Sequence, residues 1–189
     1  MERELDKDGK RLLLKQSGIP DWVIPTTLVK EKQPDLRNFF ASQAYVADTG
    51  LWRGVYIHPK RPAADVQARK VFYLAAKEAA LYRLQVYVTS LPRLVMALCE
   101  EEDAEVSDLS AVERVKTLWV TGFYEQGAPF PLTPWQAARL RGWVLDRYES
   151  GRPVSWLADR PLAETTAWWS GSFISMLQEH TVSFAVEGK

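Results

Sequence analysis

The chain of 189 residues contains one cysteine and two histidines. A single cysteine excludes an internal disulfide and a cysteine-rich zinc cage. His58 and His180 are too far apart in sequence for a metal-ligand spacing. No apolar run approaches the ~20 residues that a membrane span requires. Composition therefore favours none of the disulfide, zinc or membrane classes.

Net charge is also absent, because 24 Lys and Arg residues balance 24 Asp and Glu residues. Proteins that act on nucleic acid usually carry a basic excess or a basic face. The total shows no excess, although it leaves room for a local basic face.

The charged stretch at 1–11 lacks the apolar segment of a signal peptide, which favours a cytoplasmic location.

The composition is that of an ordinary globular protein, with 47% hydrophobic and 25% charged residues. A chain of this length suggests one domain. We expect residues 1–10 to form a polar N-terminal arm and residues 11–189 to form a single domain.

Strand-like and helix-like segments alternate along the chain. The strands are predicted at 51–57, 85–89, 115–120, 153–158 and 181–186. The helices are predicted at 11–16, 35–47, 66–84, 91–100, 134–150, 162–168 and 171–179, and residues 122–132 are predicted to be a loop. This alternation predicts an α/β fold with a mainly parallel five-stranded sheet flanked by helices on both faces.

Three short passages occur in an order that resembles a known family. They are LLLKQSGIP at 12–20, RYESGRP at 147–153 and DRPL at 159–162. The order is similar to AAA+ domains of bacterial replicative-helicase loaders of the DnaC and DnaI type, and of IstB-type transposition ATPases. The resemblance extends over nearly the whole chain from Arg11 to Gly188, and it implies an AAA+ type P-loop core.

Such a core needs a phosphate loop with glycines, a lysine and a Ser or Thr hydroxyl. The stretch that we align with it is ADVQARKV at 64–71. Lys70 takes the lysine position, whereas Ala64 and Arg69 replace the glycines and Val71 replaces the hydroxyl. The resemblance thus implies a degenerate nucleotide site in which Lys70 is vestigial.

Other parts of the ATPase machinery are missing from the corresponding positions. The third predicted strand leads into Thr121 and Gly122, without the carboxylates that hold magnesium. Asp159 stands where the family has a polar sensor, usually Asn, and residues 172–177 contain no arginine finger. These joint losses predict a pseudo-ATPase, not an enzyme, that uses no cofactor.

Tryptophans supply candidate interface residues, because Trp is enriched at binding hot spots. We single out Trp135, Trp143, Trp168 and Trp169. The last two are adjacent and cannot both point inward from one helix face. The resemblance implies an accessory or regulatory protein of DNA replication (helicase loading) or of mobile elements, which binds a replicative helicase or an active AAA+ ATPase, within a homo- or hetero-oligomer.

Two alternatives remain open. One is a single-stranded nucleic-acid-binding module that uses Lys60, Arg61 and Arg69, together with tryptophans. The other is a divergent ATPase built around Lys70.

Overall fold

The computed structural model describes residues 7–28, 33–46, 53–81, 85–99, 112–122, 124–125, 128–165 and 169–188. The helices are α1 (Lys7–Gln16), α2 (Pro34–Val46), α3 (Asp65–Leu81), α4 (Leu91–Cys99), α5 (Pro134–Glu149) and α6 (Gly171–His180). The strands are β1 (Gly54–Pro59), β2 (Val86–Ser90), β3 (Thr117–Thr121), β4 (Tyr124–Glu125), β5 (Ala128–Pro129), β6 (Val154–Leu157) and β7 (Thr181–Val186).

Five strands form one sheet in the order β2-β3-β6-β1-β7, and every neighbouring pair is parallel. The predicted α/β class and the five-stranded parallel sheet are therefore confirmed. β4 and β5 form a separate antiparallel pair.

Helices cover both faces of the sheet, and alternate residues of β1, β2, β3 and β6 pack against opposite layers, whereas Ser183 and Ala185 of the edge strand β7 are exposed. Leu118 and Val120 of β3 pack on the layer of α4, α5 and α6, while Trp119 packs on the layer of α1, α2 and α3. Burial on both faces accounts for the nearly continuous apolar strands, since a parallel sheet covered on both sides has no polar face. Trp119 lies between the rings of Phe40 and Phe72.

The boundaries of several elements differ from the predictions. Helix α1 begins at Lys7, so part of the expected arm is helical. β1 extends to Pro59, which places His58 inside a buried strand and not in the predicted loop. The predicted loop at 122–132 contains the β4–β5 pair. The predicted helix at 162–168 is a 3-10 turn over Leu162–Thr165, and residues 166–168 lie outside the described ranges.

The turn after α1 joins that helix to the sheet. Gly18 adopts φ 74°, and the amides of Gly18 and Ile19 donate to the carbonyls of Lys15 and Leu14, as in a Schellman cap. The carbonyl of Ser17 accepts a hydrogen bond of 2.9 Å from the amide of Val88 in β2. A Cβ on Gly18 would lie 2.8 Å from the carbonyl oxygen of Val88, so both the conformation and the contact require glycine.

Lys77 of α3 fastens the segment that follows this turn. Its Nζ donates to the carbonyls of Ile24 and Thr26 at 2.6 Å each, and to the carbonyl of Val23 at 3.4 Å. Burial lowers the pKa of Lys77, and this is the largest influence on it. The carbonyl oxygens offset the cost of placing the ammonium in the interior.

We expect Gly18→Ala to destabilise the protein by about 1–3 kcal/mol, because alanine disfavours positive φ and its Cβ would press on Val88. The matched control is Gly171→Ala at the exposed start of α6, where a Cβ would meet nothing within 4 Å. This control should stabilise the protein by up to about 1 kcal/mol through helix propensity. Denaturant unfolding of both variants measures the difference, and equal effects would contradict the assigned role of Gly18.

Candidate nucleotide-site region at the carboxyl edge of the sheet

Ligands of open parallel sheets bind in the crevice outside the carboxyl ends of the strands. At this edge β1 ends at Pro59, β3 ends at Thr121 and β6 ends at Leu157. The loop from β1 leads directly into α3, whose amino terminus carries the partial positive charge that attracts anions. A nucleotide site, if present in this fold, is therefore expected at this edge of the sheet.

The loop between β1 and α3 contains Lys60, Arg61 and a 3-10 turn over Pro62–Ala64. Pro59 and Pro62 have no amide hydrogen to donate to a phosphate. Asp65, the first residue of α3, supplies a carboxylate to the first turn of the helix. A carboxylate there stabilises the helix amino terminus and competes with any other anion for it.

This geometry corrects the predicted position of the phosphate loop. A phosphate-binding lysine stands where the loop enters the helix, whereas Lys70 is the sixth residue of α3. The eight-residue stretch that covers the end of β1, the loop and the first residue of α3 reads HPKRPAAD at 58–65. In that register the lysine position is Ala64, which is buried, and the hydroxyl position is Asp65.

A helix that begins near residue 66 places Lys70 more than a turn inside it. This position was available in the sequence as a signal for the alternative register at 58–65. His58 and Ala63 occupy its glycine positions, and Arg69, which was aligned with a glycine, lies on α3.

The chain's own last described residues close against this loop. The amide of Lys60 donates to the carbonyl of Val186 at 2.8 Å, and Lys60 Nζ lies 2.6 Å from Glu187 Oε1. The hydrogen bond from Lys60 and its charge lower the pKa of Glu187. A Cβ on Gly188 would lie 3.3 Å from the Cβ of Ala64. Lys60, Arg61, Ala63, Ala64, Glu187 and Gly188 line a cavity of about 300 Å³.

The neighbouring strand ends lack the usual acids. Thr121 ends β3, and its hydroxyl donates to the carbonyl of Thr89 at 3.4 Å. Gly122 follows with φ 78°. Asp159, the expected sensor position, receives two hydrogen bonds from Arg160, of 3.0 and 3.2 Å. Within the described ranges, no three His, Cys, Asp or Glu side chains lie together as a metal site would require.

The predicted nucleic-acid residues lie in two places. Lys60 and Arg61 are exposed in the loop beside Glu187, while Arg69 is exposed on α3. Lys60 forms an exposed ion pair with Glu187, and this pair has no net charge. Arg61 is the second cationic residue of the loop.

The four candidate interface tryptophans have different environments. Trp135 is 57% exposed on α5, with the Arg139 guanidinium 5.7 Å from its ring centre. Trp143 is half-buried on the same helix. Trp169 is buried and stacks on Phe173 at 4.7 Å, so it is the member of the Trp168–Trp169 pair that points inward. Trp168 lies outside the described residues.

The RYESGRP passage has a structural role. Arg147 is buried, and its guanidinium donates to the carbonyls of Val112 at 2.8 Å and Val115 at 2.9 Å, ahead of β3. Burial lowers the pKa of Arg147 to about 10. Tyr148 Oη donates to the carbonyl of Val154 at 3.0 Å and accepts from Trp156 Nε1 at 3.2 Å. The passage thus ties α5 to β3 and β6.

Together, the parallel sheet, its two helical layers and the loop between β1 and α3 form an α/β core with the fold of AAA+ replication proteins. The resemblance to helicase loaders of the DnaC and DnaI type is confirmed at the level of the fold. No protein-family model and no curated protein sequence matches the chain. Among the described residues, no helix is both long enough and apolar enough to cross a bilayer.

Solved structures of replication proteins share this fold. A crystal structure of DnaI is 12% identical, with a TM-score of 0.64, over 91% of this chain and 98% of that one. The DnaC helicase loader is 12% identical, with a TM-score of 0.61, over 83% and 89%. AMPPCP-bound DnaA from Aquifex aeolicus is 12% identical, with a TM-score of 0.53, over 78% and 44%.

We expect Tyr148→Phe to destabilise the protein by about 1–3 kcal/mol, because the hydroxyl bridges two buried groups. Tyr73→Phe is the matched control, since Tyr73 is half-buried and contacts Trp22 and Phe72 through its ring. The control should change the free energy of unfolding by less than about 0.5 kcal/mol. Urea unfolding compares the two variants, and a neutral Tyr148→Phe would disprove the structural role of the passage.

Proposed function

We propose that this chain is a non-catalytic AAA+-like protein that serves DNA replication, in helicase loading or in a related mobile-element process. In this proposal it acts by binding a replicative helicase or an active AAA+ ATPase. The observation that supports it best is the stretch at 58–65, whose residues are unsuited to binding the phosphates of a nucleoside triphosphate.

The misfit of the loop has three physical causes. A phosphate loop wraps backbone amides around the phosphates, and glycines allow that close approach. Here Pro59 and Pro62 remove two amide donors from the loop. The buried Ala64 has no charge to offer, and the carboxylates of Asp65 and Glu187 repel a polyphosphate.

The magnesium and arginine-finger positions support the same proposal. Thr121 and Gly122 at the end of β3 provide no carboxylate for a metal ion. The sequence of α6, GSFISMLQEH, contains no arginine that could reach a neighbouring nucleotide. Hydrolysis needs the loop, the metal and the arginine together, so restoring one would not restore activity.

The replication context rests on the fold shared with DnaI and DnaC. Protein binding is the mode that we favour over nucleic-acid binding. Lys60 is paired with Glu187 and Asp65 follows nearby, so the loop lacks the uncompensated positive charge that tracks a phosphate backbone. The acids at this edge repel DNA as they repel a nucleotide.

We expect magnesium-ATP at millimolar concentration to leave the melting temperature unchanged and to show no turnover above background. A ligand at 100 times its Kd would add about 2.7 kcal/mol of stability, which thermal unfolding detects easily. Lys60→Ala and Lys70→Ala are measured beside the parent protein. Turnover lost in Lys70→Ala would establish the divergent ATPase, and saturable binding lost in Lys60→Ala would place a nucleotide in the loop.

We further expect a tagged copy of the chain to retain a replicative helicase or a AAA+ loader from its host lysate, with or without nuclease. Protein–protein contacts survive digestion of nucleic acid, whereas bridging through DNA does not. Mass spectrometry identifies the retained proteins. Recovery of nuclease-sensitive nucleoprotein alone, with affinity that falls steeply with salt, would establish the nucleic-acid-binding alternative instead.

A further inference from the structure

One face of α5 is solvent-exposed along its length. Residues at helical spacing share this face, and all of them are exposed: Trp135, Ala138, Arg139, Gly142, Leu145, Asp146 and Glu149. The opposite face carries Leu140 and Val144, which are buried in the core. The helix thus packs on the core through its inner side, while its outer side is exposed in the part of the chain that the structure describes.

This outer face carries two large apolar side chains. Trp135 is 57% exposed and Leu145 is 37% exposed. Met96 of helix α4, which packs beside α5, is 53% exposed. Arg139 joins the two helices, because its Nε donates to the carbonyl of Leu98 while its guanidinium lies over Trp135. Trp135 and Leu145 are suited to contact with another protein, because burial of their side chains would stabilise the contact.

The charges on this face are segregated along the helix. Its amino-terminal half carries Arg139, and its carboxyl-terminal half carries Asp146 and Glu149. Such a face is complementary to a copy of itself in the antiparallel orientation, where each basic half meets an acidic half. In the parallel orientation like charges would meet, which is unfavourable.

We propose that the outer face of α5 is a two-fold interface with a second copy of this chain, in which the two α5 helices cross antiparallel near Gly142. An axis between Gly142 and Trp143 places Arg139 of one copy opposite Asp146 of the other, and the reverse pair follows by symmetry. Gly142 has no Cβ, and this allows the two helix backbones to approach closely at the crossing. Leu145 and Trp135 flank the crossing and supply apolar contact.

A single helix pair forms a small interface, so we expect an equilibrium on the order of micromolar Kd. Sedimentation velocity of the full chain from ~1 to ~200 μM should show a concentration-dependent shift from monomer to dimer. Arg139→Glu alone and Asp146→Arg alone should each leave a monomer, since each creates two like-charge contacts. An equimolar mixture of the two variants should dimerise again, because both pairs are then of opposite charge.

Two further variants separate association from folding. Gly142→Gln should raise the melting temperature through helix propensity while abolishing the dimer, since its side chain fills the crossing. Arg37→Glu, a charge reversal on α2 on the other side of the sheet, should leave the dimer intact. A parent protein that stays monomeric over the whole concentration range overturns the proposal. So does a dimer that tolerates both charge reversals, or a mixture that fails to restore association.

Discussion

The position of β1 between β6 and β7 in the sheet is the constraint on which the other features depend. It pairs with β6 on one side and β7 on the other, and all six of its residues are buried. A Cβ on Gly54 would lie 2.1 Å from the carbonyl oxygen of Val154, so only glycine lets the two strands pair here. Because β7 is bonded to β1 along its whole length, the residues after β7 necessarily emerge beside the loop that leads from β1 into α3.

That arrangement connects the fold to the chemistry of the edge. In an AAA+ core the first strand delivers its loop to the amino terminus of a helix, which is suited to hold phosphate. Here the same helix terminus meets Asp65 from its own first turn, while Glu187 pairs with Lys60 in the loop. The loop still leads into a helix amino terminus, and carboxylates of the chain itself lie close to that loop.

The passages that carried the family resemblance turned out to support the fold. Gly18 permits the turn that joins α1 to β2, and Arg147 and Tyr148 tie α5 to the sheet. These contacts give the residues a structural role that does not depend on nucleotide binding. The exposed side chains of α5 differ from these residues, because they do not belong to the hydrophobic core. The buried residues therefore relate to the fold of this protein, and the exposed residues of α5 relate to its contacts with other molecules.

The α/β class, the five parallel strands and the absence of acids at the end of β3 were determined by the sequence itself. Local apolar runs and helix periodicity report burial directly, and a missing residue type cannot be restored by folding. The tertiary structure alone decided the end of β1 at Pro59, the burial of Trp169 and the approach of Glu187 to Lys60. Each of these depends on where a strand ends in three dimensions or on contacts between residues far apart in the chain. Lys60 and Glu187 are separated by 127 positions, and only the pairing of β1 with β7 brings them together.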